Sequence, residues 1–244
     1  MAGTDSALFT PTNVLVVAAH PDDIEFCVGG SVAHWIQTGA KVSYLILTDG
    51  CNGSADRAAA AHEVAAVRQK EQRAAAALLG VDHVFFGDYQ DCALAIRNDV
   101  KRDIVRAIRK VRPDTVVTFD PTMVYSLSRG VINHTDHRSA GQATLDAIFP
   151  LARDYHAFPE LADKEKLEPH KVSTVLLINY DTSNFYVDIT KTIDNKLASL
   201  KKHTSQFPDY TRIEALVRQY AEEAGTHCAA EYAEGFIRLG LSGQ

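Results

Sequence analysis

Short apolar runs rich in β-branched residues alternate with longer segments of helical period along roughly the first 150 positions of the chain. The runs predict buried strands at four places: Val14–Ala18, Val42–Leu47, Val84–Phe86 and Thr115–Phe119. The other segments predict four helices: Gly29–Gln37, Ala58–Leu79, one with Val100, Ile104, Val105, Ile108 and Val111 on a single face, and Arg138–Ile148. This alternation favours an α/β fold in which a mostly parallel sheet has helices on both faces.

The second half of the chain has a less regular pattern. Ala152–Pro169 mixes charged residues, aromatic residues and proline, and is predicted to be a loop or lid. Beyond it the pattern predicts two strands and then two helices: Val172–Ile178, Phe185–Ile189, Ile193–Ser205 and Tyr210–Gly225. Because no internal repeat or linker-like segment interrupts the chain, we expect one domain over residues 1–244, with a core at about 13–150 and C-terminal elements at about 170–238.

Polar residues follow three of the four predicted N-terminal strands. His20 comes after the first strand, Asp49 after the second and Asp120 after the fourth. Right-handed crossovers place the carboxyl ends of parallel strands at one edge of the sheet, and open α/β sheets bind their ligands at that edge. The pattern therefore predicts that these side chains lie around a functional site.

Composition narrows the classes of function. The chain has 244 residues, 46% of them hydrophobic, and a formal net charge of −6. It has no basic stripe or Lys/Arg-rich tail, which argues against nucleic-acid binding. No run approaches the roughly 18 to 20 apolar residues of a membrane span, and the N-terminal segment 1–13 lacks the features of a signal peptide. Four scattered cysteines without Cys-x-x-Cys spacing are typical of reduced thiols, so we expect a soluble, cytoplasmic protein.

Two short motifs carry candidate metal ligands: AHPDD at residues 19–23 and HTDH at residues 134–137. Histidine and carboxylate are ligands that Zn²⁺ favours, and a catalytic zinc keeps three protein ligands and a fourth position for water. His20, Asp23 and His137 satisfy that count, because His20 and Asp23 lie three positions apart on a tight turn. A chain of this size needs no metal to stabilise its core, so a metal here indicates catalysis.

The remaining polar residues of the two motifs suit proton transfer. If Asp23 binds the metal, Asp22 points elsewhere and is free to act as a general base. It would accept a proton from the metal-bound water, whose pKa the metal lowers to about 7. His134 lies three positions before His137 and is predicted to act beside the metal as an imidazolium that stabilises an oxyanion or protonates a leaving amine. Asp136 is predicted to orient His134 and raise its pKa. Together these residues predict hydrolysis of an amide.

Structural interpretations compete with this chemistry. A single histidine after a strand is more often structural than a ligand, an Asp-Asp pair is usually a solvated turn or a helix cap, and Asp136 alone could cap the helix that follows it. The two motifs together are much harder to explain without a shared function. The sequence contains no motif typical of dinucleotide sites, nucleoside-triphosphate sites, helical zinc proteases or serine hydrolases.

The order and spacing of four strings resemble the PIG-L/LmbE-like family of metal-dependent N-acetylglucosaminyl deacetylases. The strings are AHPDD after the first strand, TDG after the second, RQKE at 68–71 in the second helix, and HTDH. The match runs from about Val14 to about Ile148, and FYVDITKTIDNKLASL at 185–200 is similar to the family's C-terminal strand and helix. Family members often have Glu directly after the two Asp, whereas this chain has it one position later, at Glu25.

The resemblance implies a Rossmann-like fold and removal of an N-acetyl group from a GlcNAc-like sugar or another small molecule that contains an amino sugar. It implies zinc bound by His20, Asp23 and His137. It also implies that Asp22 is the general base and that His134 is the acid or the group that stabilises the oxyanion.

Substrate contacts are expected from the loops over the strand ends, namely Asn52–Asp56, Thr122–Asn133 and Ala152–Pro169. The resemblance assigns Arg68 to sugar hydroxyls or a substrate phosphate, and the alternative is an exposed arginine paired with a glutamate of its own helix. Tyr125 and Arg129 are candidates for closing over the ligand, although such residues serve equally often in packing and on solvated surfaces.

Other functions and partners stay open from the sequence. The same chemistry would serve an amidase acting on a non-sugar conjugate or an antibiotic precursor, and a non-catalytic metal-binding relative is a third class. Fe²⁺, Co²⁺ and Ni²⁺ accept the same ligands as Zn²⁺. The partner is expected to be a small-molecule amide, and the long Ala-rich helix is a possible surface for a homo-oligomer.

Overall fold

The structure, a computed structural model, describes residues 9–241. Nine strands are observed: β1 Asn13–Ala18, β2 Lys41–Thr48, β3 His83–Tyr89, β4 Thr115–Phe119, β5 Tyr125–Ser126, β6 Val131–Ile132, β7 Thr174–Ile178, β8 Phe185–Asp188 and β9 Ala233–Gly240. Seven α-helices accompany them: α1 Asp23–Gln37, α2 Ala61–Leu79, α3 Asn98–Val111, α4 Thr135–Asp146, α5 Pro159–Asp163, α6 Ile193–Leu200 and α7 Tyr210–Gly225. All predicted strands are present, which confirms the strand pattern read from the sequence.

Seven strands form one sheet in the order β3-β2-β1-β4-β7-β9-β8. The five strands from β3 to β7 pair in parallel, whereas β9 runs antiparallel to both β7 and β8. β1 and β4 are apolar and almost wholly buried, as central strands of a parallel sheet are. The predicted α/β fold with a mostly parallel sheet is confirmed.

The predicted pattern omits β9. The sequence of Ala233–Gly240 combines two glycines with Glu234 and Arg238, so it lacks the apolar run or strict alternation that marks a strand. This segment is a strand because its backbone pairs with β7 on one side and with β8 on the other. Strand β9 thereby brings Glu234 to the carboxyl end of β7.

Helices cover the sheet in two groups. Helix α1 contacts α2 and α6, and α6 contacts α7, while α3 and α4 contact each other and β1. Helix α1 begins at Asp23 rather than at the predicted Gly29. The close approach of α1 to the chain before α6 depends on Gly30, since a Cβ there would lie 2.7 Å from the Ile189 side chain.

Ala152–Pro169 is largely irregular, as predicted, but its interpretation as a lid over the substrate is wrong. The segment contains α5 and buries Leu161 completely. Arg109 of α3, itself 2% exposed, donates hydrogen bonds to carbonyls of this region, those of Leu151, Ala152, Asp154 and Phe158. Just after it, His170 Nε2 lies 2.7 Å from the carbonyl of Pro113, the residue before Asp114 and β4. The segment therefore packs at the amino ends of the strands, away from the predicted site.

Within residues 9–241, no helix has both the length and the apolar character needed to cross a membrane. Residues 1–8, which make up most of the segment predicted not to be a signal peptide, lie outside the described residues.

Candidate active site

The turn after β1 and the start of α4 bring the two motifs together at the carboxyl edge of the sheet. Helix α1 begins at Asp23, and the Asp23 carboxylate accepts a hydrogen bond from the backbone N–H of His20 at 2.7 Å, which closes the turn. His134 is the N-cap residue of α4, so His137 lies in the first turn of that helix. Because β1 and β4 are neighbours and α4 packs on both, the two segments meet.

Three predicted ligands lie around one point. Ligand atoms of His20, Asp23 and His137 are all within 4.8 Å of one another. Asp23 Oδ1 is 3.1 Å from His137 Nε2, and Asp23 Oδ2 is 3.4 Å from His20 Nδ1. Two imidazoles and one carboxylate form the donor set of a catalytic zinc site with one position left for water. We call these three residues the metal cluster.

Hydrogen bonds to Asn133 decide which ring nitrogen of His137 faces the metal cluster. Asn133 Nδ2 donates to the carbonyl of Met123 at 2.8 Å, which directs Asn133 Oδ1 towards His137 Nδ1, 3.1 Å away. His137 therefore donates from Nδ1, and its Nε2 keeps a lone pair beside Asp23 Oδ1. The ring of Phe119 stacks on this imidazole with centroids 4.0 Å apart. In this tautomer an imidazole nitrogen and a carboxylate oxygen face each other, an arrangement that fits a bound cation.

Carboxylates surround His20 on its other side. Its Nε2 is 3.2 Å from Asp91 Oδ1 and 3.4 Å from Asp136 Oδ2, although neither contact has the geometry of a hydrogen bond. Burial lowers the pKa of His20, but Asp23, Asp136 and Asp91 outweigh burial and raise that pKa to about 12. Three carboxylates around one buried imidazole favour a positive charge among them. A bound divalent cation would supply that charge.

Two other groups among the described residues also come close enough to hold a metal: His20 with His134 and Asp136, and Asp91 with Cys92 and His134. Their ligand atoms have other partners. Asp136 accepts hydrogen bonds from two backbone N–H groups after β3, and His134 Nδ1 accepts one from the backbone N–H of Asp136 at 3.2 Å. The metal cluster is therefore the best candidate site.

Asp22 lies beside the metal cluster in a left-handed backbone conformation, with φ at 95°. Residues other than glycine adopt this conformation infrequently, so contacts with the surroundings contribute to holding it. The backbone N–H of Asp22 donates to Gln72 Oε1 at 2.9 Å and so contributes to holding it. Burial raises the pKa of Asp22 to about 6, against the opposing charge of Arg68. A carboxylate with that pKa is suited to accept a proton at neutral pH.

Gln72 belongs to a buried network beneath Asp22. Gln72 Nε2 donates to both carboxylate oxygens of Glu25, at 2.9 and 3.0 Å, and His203 Nε2 is 3.1 Å from Glu25 Oε2. All three side chains are at most 1% exposed. The network links α1, α2 and the segment after α6. It gives Glu25, two positions after the AHPDD motif, a structural role.

Arg68 also lies beneath Asp22. It is 4% exposed, and its terminal nitrogens donate to the carbonyls of Gly50 and Pro21 at 2.9 and 2.6 Å. Its Nη2 is 3.3 Å from Asp22 Oδ2. The alternative of an exposed arginine paired with a glutamate of its own helix is therefore wrong. Contact with the substrate stays a prediction, while these hydrogen bonds support a role in positioning Asp22.

Asp136 contacts His134 through its backbone N–H rather than through its carboxylate, whose charge raises the pKa of His134 but is outweighed. That carboxylate faces His20 and two backbone N–H groups, whereas the backbone N–H of Asp136 donates to His134 Nδ1. Because Nδ1 accepts, the proton of a neutral His134 ring lies on Nε2. Burial, together with His20 and His137, lowers the pKa of His134. The imidazolium expected from the sequence is therefore disfavoured.

The two residues expected to close over the ligand lie on the β5–β6 hairpin. Tyr125 is 59% exposed. Arg129 is anchored to α7, because its Nη1 is 2.8 Å from Glu223 Oε2 and its guanidinium lies 3.6 Å from the centre of the Tyr220 ring. Contacts of both residues with substrate stay predictions. Of the two, Arg129 is held by other side chains, whereas no side-chain hydrogen bond of Tyr125 is observed among the described residues.

Three residues around the site are not among the sequence predictions: Asp91, Asn133 and Gln72. Asp91 follows β3 as observed, but the predicted strand ends at Phe86, so the rule that selects Asp49 and Asp120 reaches Asp88 first. Asn133 directly precedes the HTDH motif. Gln72 has no comparable signal, since it is one polar residue among many on α2.

Residues 15–148 match the family described as PIG-L: GlcNAc-PI de-N-acetylase. This range contains both motifs and the whole metal cluster. The chain belongs to the PIG-L family. PIG-L deacetylases are metal-dependent, and the metal cluster is a possible metal-binding site in this member.

Relatives of this PIG-L protein extend the match beyond the motifs. It is 33% identical over 225 residues to the diacetylchitobiose deacetylase of Thermococcus kodakarensis, covering 91% of this chain and 81% of the relative. It is 26% identical over 221 residues to a probable N-acetyl-α-D-glucosaminyl L-malate deacetylase 2 of Bacillus anthracis, covering 86% and 87%. The solved structure of N,N′-diacetylchitobiose deacetylase from Pyrococcus horikoshii with its inhibitor MPG superposes with a TM-score of 0.85 at 31% identity, covering 94% and 84%.

We expect Asp91→Asn to weaken metal binding by about 10- to 100-fold, because the carboxylate stabilises a candidate ligand, His20, from behind. Titration of the metal-free protein with Zn²⁺ measures the effect. Asp82→Asn, which changes an exposed carboxylate just before β3, is the matched control. Equal affinities for Zn²⁺ in the two variants would show that Asp91 does not support the site.

Proposed function

We propose that this protein is a zinc-dependent deacetylase that hydrolyses the N-acetyl group of an N-acetylated amino sugar. The observation that carries the proposal is the metal cluster with the Asp22 carboxylate held beside it by contacts with Arg68 and Gln72. Amide hydrolysis needs a base for water and a cation for the carbonyl. The relatives are named as deacetylases of diacetylchitobiose or of N-acetyl-α-D-glucosaminyl L-malate, which supports an amino sugar as substrate.

A divalent cation held by His20, Asp23 and His137 would polarise the acetyl carbonyl and lower the pKa of the attacking water. Asp22 accepts the proton of that water on a carboxylate oxygen. Once protonated, Asp22 returns the proton to the leaving amine, because a carboxyl group with a pKa near 6 donates readily at neutral pH. Arg68, at 3.3 Å from the carboxylate, holds it in place through both steps.

His134 acts in its neutral form. The backbone N–H of Asp136 occupies Nδ1, so Nε2–H is the group that donates to the oxygen on which negative charge develops. A nearby cation lowers the pKa of His134 further, because it repels the proton of an imidazolium. Transfer of a proton to the leaving amine therefore falls to Asp22 rather than to His134.

Zinc is the proposed metal because two imidazoles and one carboxylate match the ligand set of catalytic zinc sites. Fe²⁺, Co²⁺ and Ni²⁺ accept the same ligands, and metal supply in the cell decides occupancy. Elemental analysis of protein purified without added metal tests the choice. Zinc at one equivalent supports it, and another metal at one equivalent overturns it.

Acetate release tests the function. Chelated protein is incubated with diacetylchitobiose, GlcNAc glycosides and non-sugar acetamides, with and without added Zn²⁺. We expect release from the sugars only, and only with metal. Release from the non-sugar amides alone would identify an amidase of another substrate class. Stoichiometric metal without turnover on any amide would indicate a non-catalytic relative.

Assembly and location stay predictions of the sequence. The reduced state of the four cysteines is likewise a prediction.

A further inference from the structure

The peptide group that joins Pro21 to Asp22 is held at both of its polar atoms by helix α2. Its carbonyl, that of Pro21, accepts a hydrogen bond from Arg68 Nη2 at 2.6 Å. Its N–H, that of Asp22, donates to Gln72 Oε1 at 2.9 Å. Arg68 and Gln72 lie four positions apart and so share one face of the helix. The orientation of this peptide group, and with it the left-handed backbone of Asp22, therefore depends on both side chains.

The two side chains differ in what they can offer to the peptide group. A guanidinium has only donors, so Arg68 presents the same kind of group to the carbonyl in any orientation. A carboxamide has a donor at one end and an acceptor at the other, and a rotation of about 180° exchanges them. Gln72 supports Asp22 only in the orientation that turns Oε1 towards the Asp22 N–H. A further contact must therefore select that orientation.

Glu25 provides this contact. Gln72 Nε2 lies 2.9 Å from Glu25 Oε1 and 3.0 Å from Glu25 Oε2, and it donates to both. An ionised carboxylate only accepts hydrogen bonds, so it attracts the NH₂ end of the amide and repels the oxygen end. Both side chains are 0% exposed, and two facing acceptors are costly in a buried site. The carboxylate of Glu25 thereby turns Gln72 Oε1 towards Asp22.

His203 holds Glu25 at the far end of the network. Its Nε2 is 3.1 Å from Glu25 Oε2, and the residue is 1% exposed. Since the carboxylate only accepts, Nε2 carries a proton, in the neutral ring or in the imidazolium. A buried carboxylate needs such donors, because its charge is costly without them. His203 follows α6, beyond the residues 15–148 that match the family, so the C-terminal part of the chain contributes to the orientation of Asp22.

We propose that Glu25 and His203 are positioning residues for the general base: Glu25 sets the direction of the Gln72 carboxamide, which holds the Asp22 N–H, and His203 holds Glu25. The inference rests on the proposed function, since it takes Asp22 as the base of that reaction. Neither positioning residue belongs to the metal cluster. Activity is therefore expected to fall when either is changed, while zinc is retained.

Glu25→Gln tests the direction of the amide. Gln72 Nε2 is at most 3.0 Å from both oxygens of Glu25, so either orientation of the new amide places an NH₂ group against it. Rotation of Gln72 relieves this contact but leaves two donors facing each other at the Asp22 N–H. We expect kcat for acetate release to fall by about 10- to 100-fold, with KM and zinc content near wild-type values, because a misplaced base slows the chemical step.

An exchange of the two residues should restore activity. In the double variant Glu25→Gln, Gln72→Glu, the amide at position 25 donates to the carboxylate at position 72. The second oxygen of that carboxylate accepts from the Asp22 N–H. We expect most of the wild-type kcat to return, whereas a loss caused only by poorer packing would persist.

Asp88→Asn is the matched control for Glu25→Gln. Asp88 is an exposed carboxylate that accepts a hydrogen bond at 2.8 Å from Gln69, another glutamine of α2. The substitution therefore makes the same chemical change at a glutamine that does not contact Asp22, and kcat should stay at the wild-type value.

Two substitutions of His203 test the other end of the network. His203→Ala removes the donor to Glu25, whereas in His203→Gln the side-chain amide keeps an N–H close to the position of Nε2. We expect kcat to fall in His203→Ala and to be largely retained in His203→Gln, with the zinc content of wild type in both. Equal values of kcat in the two variants would exclude His203 from the positioning role.

Hydrogen exchange at the Asp22 amide separates this proposal from the proposed function, because it needs no substrate. NMR of the zinc-loaded protein should show this amide exchanging about tenfold faster in Glu25→Gln than in wild type, with slow exchange restored in the double variant. That result supports the positioning role even if the wild-type protein releases no acetate. The same exchange rate in wild type and in Glu25→Gln would overturn the proposal, whatever the activity.

Discussion

Replacing Asp22 with Asn should lower kcat for acetate release by about 10²- to 10⁴-fold, the usual contribution of a general base. Asparagine has nearly the same shape, so the left-handed turn and its hydrogen bond to Gln72 should persist. What the substitution removes is the oxygen that accepts a proton. Acetate release under saturating substrate, together with zinc content, measures the effect, and zinc should stay at the wild-type level.

Asp82→Asn is the control for Asp22→Asn, because it changes an exposed carboxylate away from the metal cluster. It should leave kcat unchanged. A fully active Asp22→Asn protein would remove Asp22 from the mechanism. An inactive protein that has also lost its zinc would show instead that Asp22 supports the metal.

The pH profile provides a second signature of Asp22. Burial raises its pKa to about 6, so below that pH the folded protein holds the carboxyl group protonated, and a protonated carboxyl group cannot accept a proton from water. A bound cation favours the ionised form and lowers this pKa. We therefore expect kcat/KM to fall on the acidic side with an apparent pKa at or below about 6. An acidic limb centred well above pH 7 would assign the titration to another group.

The location of the site follows from the sequence because strand burial and strand ends are local properties. The apolar run of β1 places His20 at the carboxyl edge of a parallel sheet, whatever the details of packing. The same rule selects Asp91 only once β3 is seen to extend to Tyr89, because the predicted strand ends at Phe86. Residues whose position depends only on which strand they follow are thus predictable from the pattern of hydrophobic and polar positions.

The direction of each side chain does not follow from the sequence, because it depends on partners from distant segments. Asp136 is two positions from His134, yet its carboxylate faces His20, since backbone N–H groups after β3 hold it there. Arg68 is buried by contacts with Gly50 and Pro21, which no pattern on α2 reveals. These corrections assign the carboxylate of Asp136 to the support of His20 and leave His134 neutral.

Replacing His137 with Ala should weaken zinc binding by more than about 100-fold, since loss of residues that merely support a ligand already costs about 10- to 100-fold. Only two ligands of the metal cluster would remain, and the space once filled by imidazole against Phe119 would admit water. Acetate release should fall in parallel. Zinc titration and elemental analysis measure the first effect, and His62→Ala, on the exposed face of α2, is the matched control.

Asn133→Ala distinguishes a ligand from its support. It leaves His137 in place but removes the acceptor for Nδ1–H, so zinc binding should weaken by only about 10- to 100-fold. A cation that binds only the folded protein raises its stability, so excess zinc should raise the Tm of wild type most, of Asn133→Ala less and of His137→Ala least. An equal rise in Tm on adding zinc to His137→Ala and to wild type would show that the metal binds elsewhere. Loss of a true ligand weakens zinc binding and therefore reduces the stability that zinc adds.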